Sequence, residues 1–151
     1  GRSPLILTER IDHLDLFAAR LEGSVKNLIV LRGGMGVKQR RGVMNRLEQI
    51  PAAEDCVLLS TGRYIGEGFD NARLDTLFLA MPISWKGTLQ QYVGRLHRLH
   101  ANKKEVIVYD YIDDAVPMLA AMFGRRLKGY EAAGYSVEDE LPLSSYSEKQ
   151  A

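Results

Sequence analysis

A three-layer α/β domain with a mainly parallel central sheet is the fold this sequence predicts, and two patterns predict it. Short apolar runs recur at Leu5–Thr8, Leu28–Leu31, Val57–Ser60, Thr76–Ala80 and Val106–Ile112. Each is nearly continuous in hydrophobic residues, as strands covered on both faces are, and such strands belong to parallel sheets. Helical patterns lie between most of them, and regular alternation of strand and helix is the mark of layered α/β architecture.

The elements follow in order. After the first strand, Ile11, Leu14, Ala18 and Leu21 share one helical face, and Gly23 is placed to end that helix. Val37 to Ile50 is a basic amphipathic segment with Val43, Met44 and Leu47 inward. Thr88 to His100 carries Leu89, Tyr92, Val93 and Leu96 at helical spacing. Beyond the last strand, Asp113 or Asp114 is suited to cap a long C-terminal helix, with Pro117 tolerated in its first turn. That helix is expected to hold Val116, Leu119, Phe123, Leu127 and Tyr130 on one side. The folded domain is expected over 1–134, and the Ser- and acid-rich remainder, 135–151, reads as a flexible tail. The chain opens directly into a strand, which fits a domain with further sequence upstream.

The 151 residues suit one domain with a full core. Hydrophobic residues make up 46% and charged residues 26%, and the net charge of +1 neither demands nor excludes a nucleic-acid partner, because the local patch decides. Cys56, the single cysteine, excludes an intrachain disulfide and reads as a small core residue. With His13, His97 and His100 it makes no ligand set for structural zinc, and no metal site is expected in this chain. Apolar runs fall far short of the ~20 residues that span a bilayer, so no membrane is expected and a cytoplasmic location is the default.

Two segments carry candidate chemistry. QYVGRLHR, Gln91 to Arg98, sets Arg95 and Arg98 three apart, so both can lie on one helical face. Two guanidiniums there form a fork suited to phosphate oxygens, and Gly94 permits close approach. STGRYIGEGFD, Ser60 to Asp70, directly follows a strand, where open α/β sheets bind ligands. It offers the Thr61 hydroxyl, the Gly62 amide and the Arg63 guanidinium to phosphate, and Asp70 to a sugar hydroxyl. Taken singly, these also read as a solvated basic face and a Gly-rich turn.

Together they resemble motifs VI and V of superfamily 2 helicases, in the right order and at a typical separation. Gln91, Gly94, Arg95 and Arg98 match the full Gln-x-x-Gly-Arg-x-x-Arg pattern, and Gly68 and Asp70 match the Gly-x-Asp that closes motif V. LILTER at Leu5–Arg10 is similar to motif IV, and LRGGMGVKQRR at Leu31–Arg41 to the segment that follows it. The resemblance spans roughly residues 4 to 112. It is nearest to the helicase part of restriction-enzyme R subunits and related DEAD/DEAH-type proteins.

The resemblance implies a second, RecA-like motor domain of an ATP-dependent nucleic-acid helicase or translocase. It implies Arg98 as the arginine finger, Arg95 beside it at the γ-phosphate and Gln91 orienting the cluster. It implies Glu67, Gly68 and Asp70 at the nucleotide, and Thr61, Gly62 and Arg63 along the nucleic-acid backbone. In a parallel sheet Thr8, at the end of the first strand, and Gly33 and Gly34, after the second, share an edge with the Thr61 loop and are expected on the same path. His97 stands where DEAD-box proteins have glycine, and Glu67 where they commonly have arginine, which points to DNA rather than RNA. The dipeptide Gly-Lys never occurs, so this chain has no P-loop, and VIVYD, Val106 to Asp110, reads as the last core strand rather than a Walker B segment. ATP and Mg²⁺ are therefore expected to be held mainly by a first RecA-like domain in cis, leaving the isolated chain inactive. Two other readings stand beside this one. GGMG, Gly33–Gly36, after a strand and before a helix is similar to a dinucleotide-binding turn, though Gln39 stands where that fingerprint needs Gly or Ala. A non-catalytic interaction domain on a motor fold is the third.

Overall fold

The computed structural model describes residues 2–62, 71–83, 89–101 and 103–138. In chain order the described elements are β1 (Pro4–Thr8), α1 (Ile11–Leu21), β2 (Leu28–Leu31), α2 (Val37–Gln49), β3 (Val57–Thr61), β4 (Thr76–Leu79), α3 (Gln90–Leu96), β5 (Ile107–Asp110) and α4 (Pro117–Ala132). The five strands form one sheet in the order β2-β3-β1-β4-β5, and every pairing is parallel. The three-layer α/β expectation holds, and the apolar runs coincide with the strands to within a few residues at each end.

The register explains why the runs lack polar alternation. Leu5 lies beside Leu58 and Leu77, and Leu58 beside Ile29, so these side chains share one face of the sheet. They form the core with Leu47 of α2, with Leu89, Tyr92, Val93 and Leu96 in and beside α3, and with Tyr130 of α4. The opposite face over β1, β2 and β3 is covered by α1, whose Leu14 is fully buried. Residues pointing either way are therefore buried, and all five positions of β3 are. Cys56 packs in this core as expected.

The end of α1 follows expectation, and the start of α4 departs from it. α1 ends at Leu21, and Gly23 follows it at φ 77°. α4 begins with Val116 as its N-cap, without a side-chain cap bond, so neither Asp113 nor Asp114 caps it; Pro117, with its fixed φ, starts the helix instead. The buried residues of α4 are Arg126, Gly129 and Tyr130, while Val116 is exposed.

Among the described residues, Arg126 is one of the largest fully buried side chains, and it explains Asp110. Its Nε donates to Asp110 Oδ2 at 2.7 Å and a terminal nitrogen to Oδ1 at 2.9 Å, a planar two-point pair. Tyr130 Oη donates to the same carboxylate at 2.9 Å. The other terminal nitrogen reaches the Ile83 carbonyl at 2.8 Å, tying the chain that leaves β4 to α4. The carboxylate at the end of β5 is thus taken up by structure, in keeping with its reading as a core-strand terminus.

At α4's other end, Tyr135 N–H donates to the Tyr130 carbonyl and Gly134 stands at φ 87°, a turn that folds the chain back on the helix. Tyr135, first residue of the expected tail, packs edge-on against His97 at 5.1 Å between ring centroids. No described helix is long and apolar enough to cross a membrane.

Candidate functional site

Strand order fixes where a site belongs. The chain leaves β1 toward β2 and leaves the adjacent β3 toward β4, in opposite directions across the sheet. Ligands of open α/β sheets bind beyond the carboxyl ends of strands at such a reversal. Thr8 and Thr61 are register partners there. Leu31 pairs with Ser60, which sets Gly33 and Gly34 at the same edge one strand further out. The three loops from Thr8, Gly33 and Thr61 thus share one edge.

At this edge the side chains are organised by hydrogen bonds. Thr8 is fully buried, and its hydroxyl contacts His13 Nδ1 at 3.1 Å and accepts from the Arg10 amide at 3.4 Å. Thr61 is buried too, while Gly33 is half-buried and Gly34 exposed. Tyr92, buried on α3, donates its hydroxyl to the Gly62 carbonyl. A methyl group placed on Gly62 would meet a Glu9 carboxylate oxygen at 2.8 Å and the Tyr92 hydroxyl at 3.3 Å, so glycine keeps this turn closed against β1 and α3. Burial, with the Glu9 charge nearby, pushes the Tyr92 hydroxyl up to about 12, and Arg95 opposes that rise.

Of the arginine pair, Arg95 lies within α3 and Arg98 just past its end. α3 ends at Leu96 with His97 as its C-cap, and Arg98 lies in the turn beyond, its amide donating to the Arg95 carbonyl at 3.3 Å. Arg95 is half-buried, while Gln91 and Arg98 are exposed. Lys103 caps the helix where it stops. Its ammonium donates to the Leu96 carbonyl at 2.7 Å and to the Arg98 carbonyl at 2.8 Å, satisfying acceptors that a continuing helix would have used. Burial holds the Lys103 ammonium below its ordinary value, against the pull of Asp75. Beside this turn an open cavity of about 460 Å³ is lined by Arg98, His100, Lys103, Lys104 and Tyr135 among others.

Glu67, Gly68, Asp70 and Arg63 lie outside the described residues. Among the described residues no group of three or more His, Cys, Asp or Glu is placed to hold a metal ion. The Gly33–Gly36 turn does lead into α2, but the Gly36 amide donates to Gln39 Oε1 at 3.2 Å. The helix's own side chain takes up a donor that a pyrophosphate would need at that N-terminus.

Comparison with solved structures places this architecture. The C-terminal domain of the DEAD-box protein Dbp5 superposes with a TM-score of 0.68 at 14% identity, covering 99% of this chain and 79% of that one. The fold is that of a helicase C-terminal, RecA-like domain. T4 UvsW aligns with a TM-score of 0.67 at 17% identity over 87% of this chain and 29% of its own. The C-terminal part of the Fun30 ATPase domain aligns at 0.65 and 16% identity, over 96% and 42% respectively. Among curated sequences, the transcript termination protein A18 of fowlpox virus (strain NVSL) is 21% identical over 124 residues, 82% of this chain but 26% of that protein. No protein-family model matches the chain. The chain spans about a quarter of the curated relative and less than half of two of these structures.

Sequence reasoning named the arginines and the loops but missed the residues that hold them. Tyr92 was legible only as an apolar helix position, and its hydroxyl is what reaches Gly62. Lys103 gave a faint signal, a lysine shortly after a helix end, where cations meet free carbonyls. Arg126 sits one position from the expected apolar stripe of α4, and charge argued against burying it.

Proposed function

We propose that this chain is the second RecA-like motor domain of an ATP-dependent nucleic-acid helicase or translocase, with DNA rather than RNA as its track. Arg98 acts in this reading as the arginine finger, Arg95 accompanies it at the γ-phosphate, and Gln91 orients the cluster. The supporting observation is the coupling of two features in one helix. α3 ends in an exposed turn bearing Arg98, and through Tyr92 the same helix is bonded to the Gly62 turn after β3. A nucleotide-sensing end and a track-contacting turn are thus mechanically joined.

The chemistry follows from charge. ATP bound with Mg²⁺ on a first motor domain supplies the phosphoryl group transferred to water. As negative charge spreads over the transferring oxygens, a planar guanidinium presented from outside the P-loop stabilises it. Arg98 is suited to that role because it is exposed on a turn, where a facing domain can meet it, while Arg95 stays half-buried. Glu67, Gly68 and Asp70 complete the nucleotide contacts in this reading. Thr8, Gly33, Gly34, Thr61, Gly62 and Arg63 line the track; with Thr8 and Thr61 buried, backbone groups at that edge carry much of the contact, which suits sequence-independent binding to phosphates.

The test is titration of a fluorescent ATP analogue into the full-length protein with no nucleic acid, with DNA and with RNA, beside the isolated 151-residue chain. The reading expects tighter binding with DNA than with RNA or neither, and weak binding without turnover by the isolated chain. ATP turnover by the isolated chain, or indifference of the full-length protein to nucleic acid, overturns it.

A further inference from the structure

We propose that Lys103, which lies outside the recognised helicase motifs, is the positioning residue that sets the Arg98 turn for phosphoryl transfer. The inference rests on the proposed function and deepens it.

The geometry is specific. The Lys103 ammonium bridges two carbonyls, Leu96 at 2.7 Å and Arg98 at 2.8 Å, which flank His97. Leu96 is the last residue of α3 and is fully buried in the core. One bond thus anchors to a fixed point, and the other grips the backbone of Arg98 itself. Lys103 is brought back to the helix end by its own turn, in which its amide donates to the His100 carbonyl at 3.0 Å. A cation at a helix C-terminus is also favoured by the helix dipole. On the far side of the turn His97 rests against Tyr135, which the reversal after α4 holds in place. The backbone between Leu96 and Arg98 is therefore held by charge-assisted bonds from Lys103 and by ring packing at His97. Arg98 itself is exposed, and this backbone sets where its side chain starts. An exposed finger needs such a support, because misplacing a reacting group by ~1 Å costs on the order of 10²-fold in rate.

The role predicts a separation of kinetic constants. In this role Lys103 acts through the backbone it holds, so losing it misaims Arg98 in the transition state and leaves ground-state ATP binding to the other domain. The experiment is steady-state ATPase of the full-length protein at saturating DNA, for Lys103→Met, Lys103→Arg, Arg98→Ala and the double variant Lys103→Met/Arg98→Ala. Methionine keeps the aliphatic stem and removes the donors; arginine restores a cationic donor. Lys103→Met is expected to lower kcat at least about tenfold with KM for ATP changed less than about twofold, the pattern of an interaction made only in the transition state. Lys103→Arg is expected to recover part of that loss. Adding Lys103→Met to Arg98→Ala is expected to change kcat little further, because the positioned group is already gone. Wild-type kcat in Lys103→Met, with Arg98→Ala inactive, overturns the inference and leaves the proposed function standing. Full additivity in the double variant overturns it as well, since a merely structural lysine would behave so. Wild-type kcat in Arg98→Ala overturns the proposed function itself and this inference with it.

Discussion

The hydroxyl of Tyr92 donates to the carbonyl of Gly62, joining the arginine-bearing helix α3 to the turn that ends β3. Tyr92 is about 1% exposed, so removing its oxygen leaves the Gly62 carbonyl without this partner inside the protein. Tyr92→Phe is expected to lower stability by about 1–3 kcal/mol, the cost of an unmet buried polar group. Urea unfolding checks this. A midpoint equal to wild type would mean that the bond contributes nothing or that the carbonyl finds another donor.

Arg126 and Asp110 make a second separable case. Both are buried, and α4 is tied through them to β5 and to Ile83. Breaking such a pair from one side strands a charge and costs ~3–5 kcal/mol, whereas replacing both partners with apolar residues is often neutral. Asp110→Leu and Arg126→Met alone are each expected to destabilise strongly, and together to recover much of the loss. Unfolding midpoints of the three variants decide it; a double variant as weak as the sum of the singles contradicts the account.

Alkaline stability should be set by buried tyrosines. Burial pushes Tyr135 up to about 12, as it does Tyr92 with help from Glu9, and it raises Tyr130 further with Asp110 adding to the rise. A tyrosine raised in the folded state holds its proton more tightly there than in the unfolded chain, where it titrates near ~10. Its contribution is therefore full below about pH 10 and is lost as pH climbs toward about 12. The unfolding midpoint is expected to fall over that window, and Tyr135→Phe to flatten the fall. An unchanged slope in Tyr135→Phe counts against its burial.

The nucleic-acid path predicts its own pattern. Thr61→Ala and Arg63→Ala in the full-length protein are expected to raise the DNA concentration for half-maximal ATPase stimulation, by about two- to tenfold, with the Arg63→Ala shift smaller at higher salt because that variant releases fewer counterions. Basal ATPase should stay near wild type. Unshifted curves at two salt concentrations would move the track to the basic helix α2, around Arg40, Arg41 and Arg46.

How much of this was legible in the sequence depends on what kind of interaction decides each feature. The parallel sheet was legible because burial on both faces leaves unbroken apolar runs such as Val57–Ser60. The shared edge of Thr8, Gly33 and Thr61 followed from that sheet once its loops were ordered. The end of α3 was not legible, because the apolar spacing runs on past Leu96, and the lysine that takes up the Leu96 carbonyl stands seven residues beyond it. The N-cap of α4 was misplaced for a related reason: aspartates favour caps, but Pro117 with its fixed φ sets the start. Tyr92 and Arg126 were hidden because their polar ends bond backbone groups brought near only by the fold.

The central claim, that Arg98 stabilises the transferring phosphoryl group, is tested most directly by kcat for DNA-stimulated ATP hydrolysis in full-length Arg98→Ala and Arg98→Lys. The account predicts a fall of roughly 10³-fold in Arg98→Ala, the scale arginine fingers supply, with KM for ATP nearly unchanged. It predicts no rescue by lysine, whose ammonium lacks the planar fork. A near wild-type kcat in Arg98→Ala would contradict it.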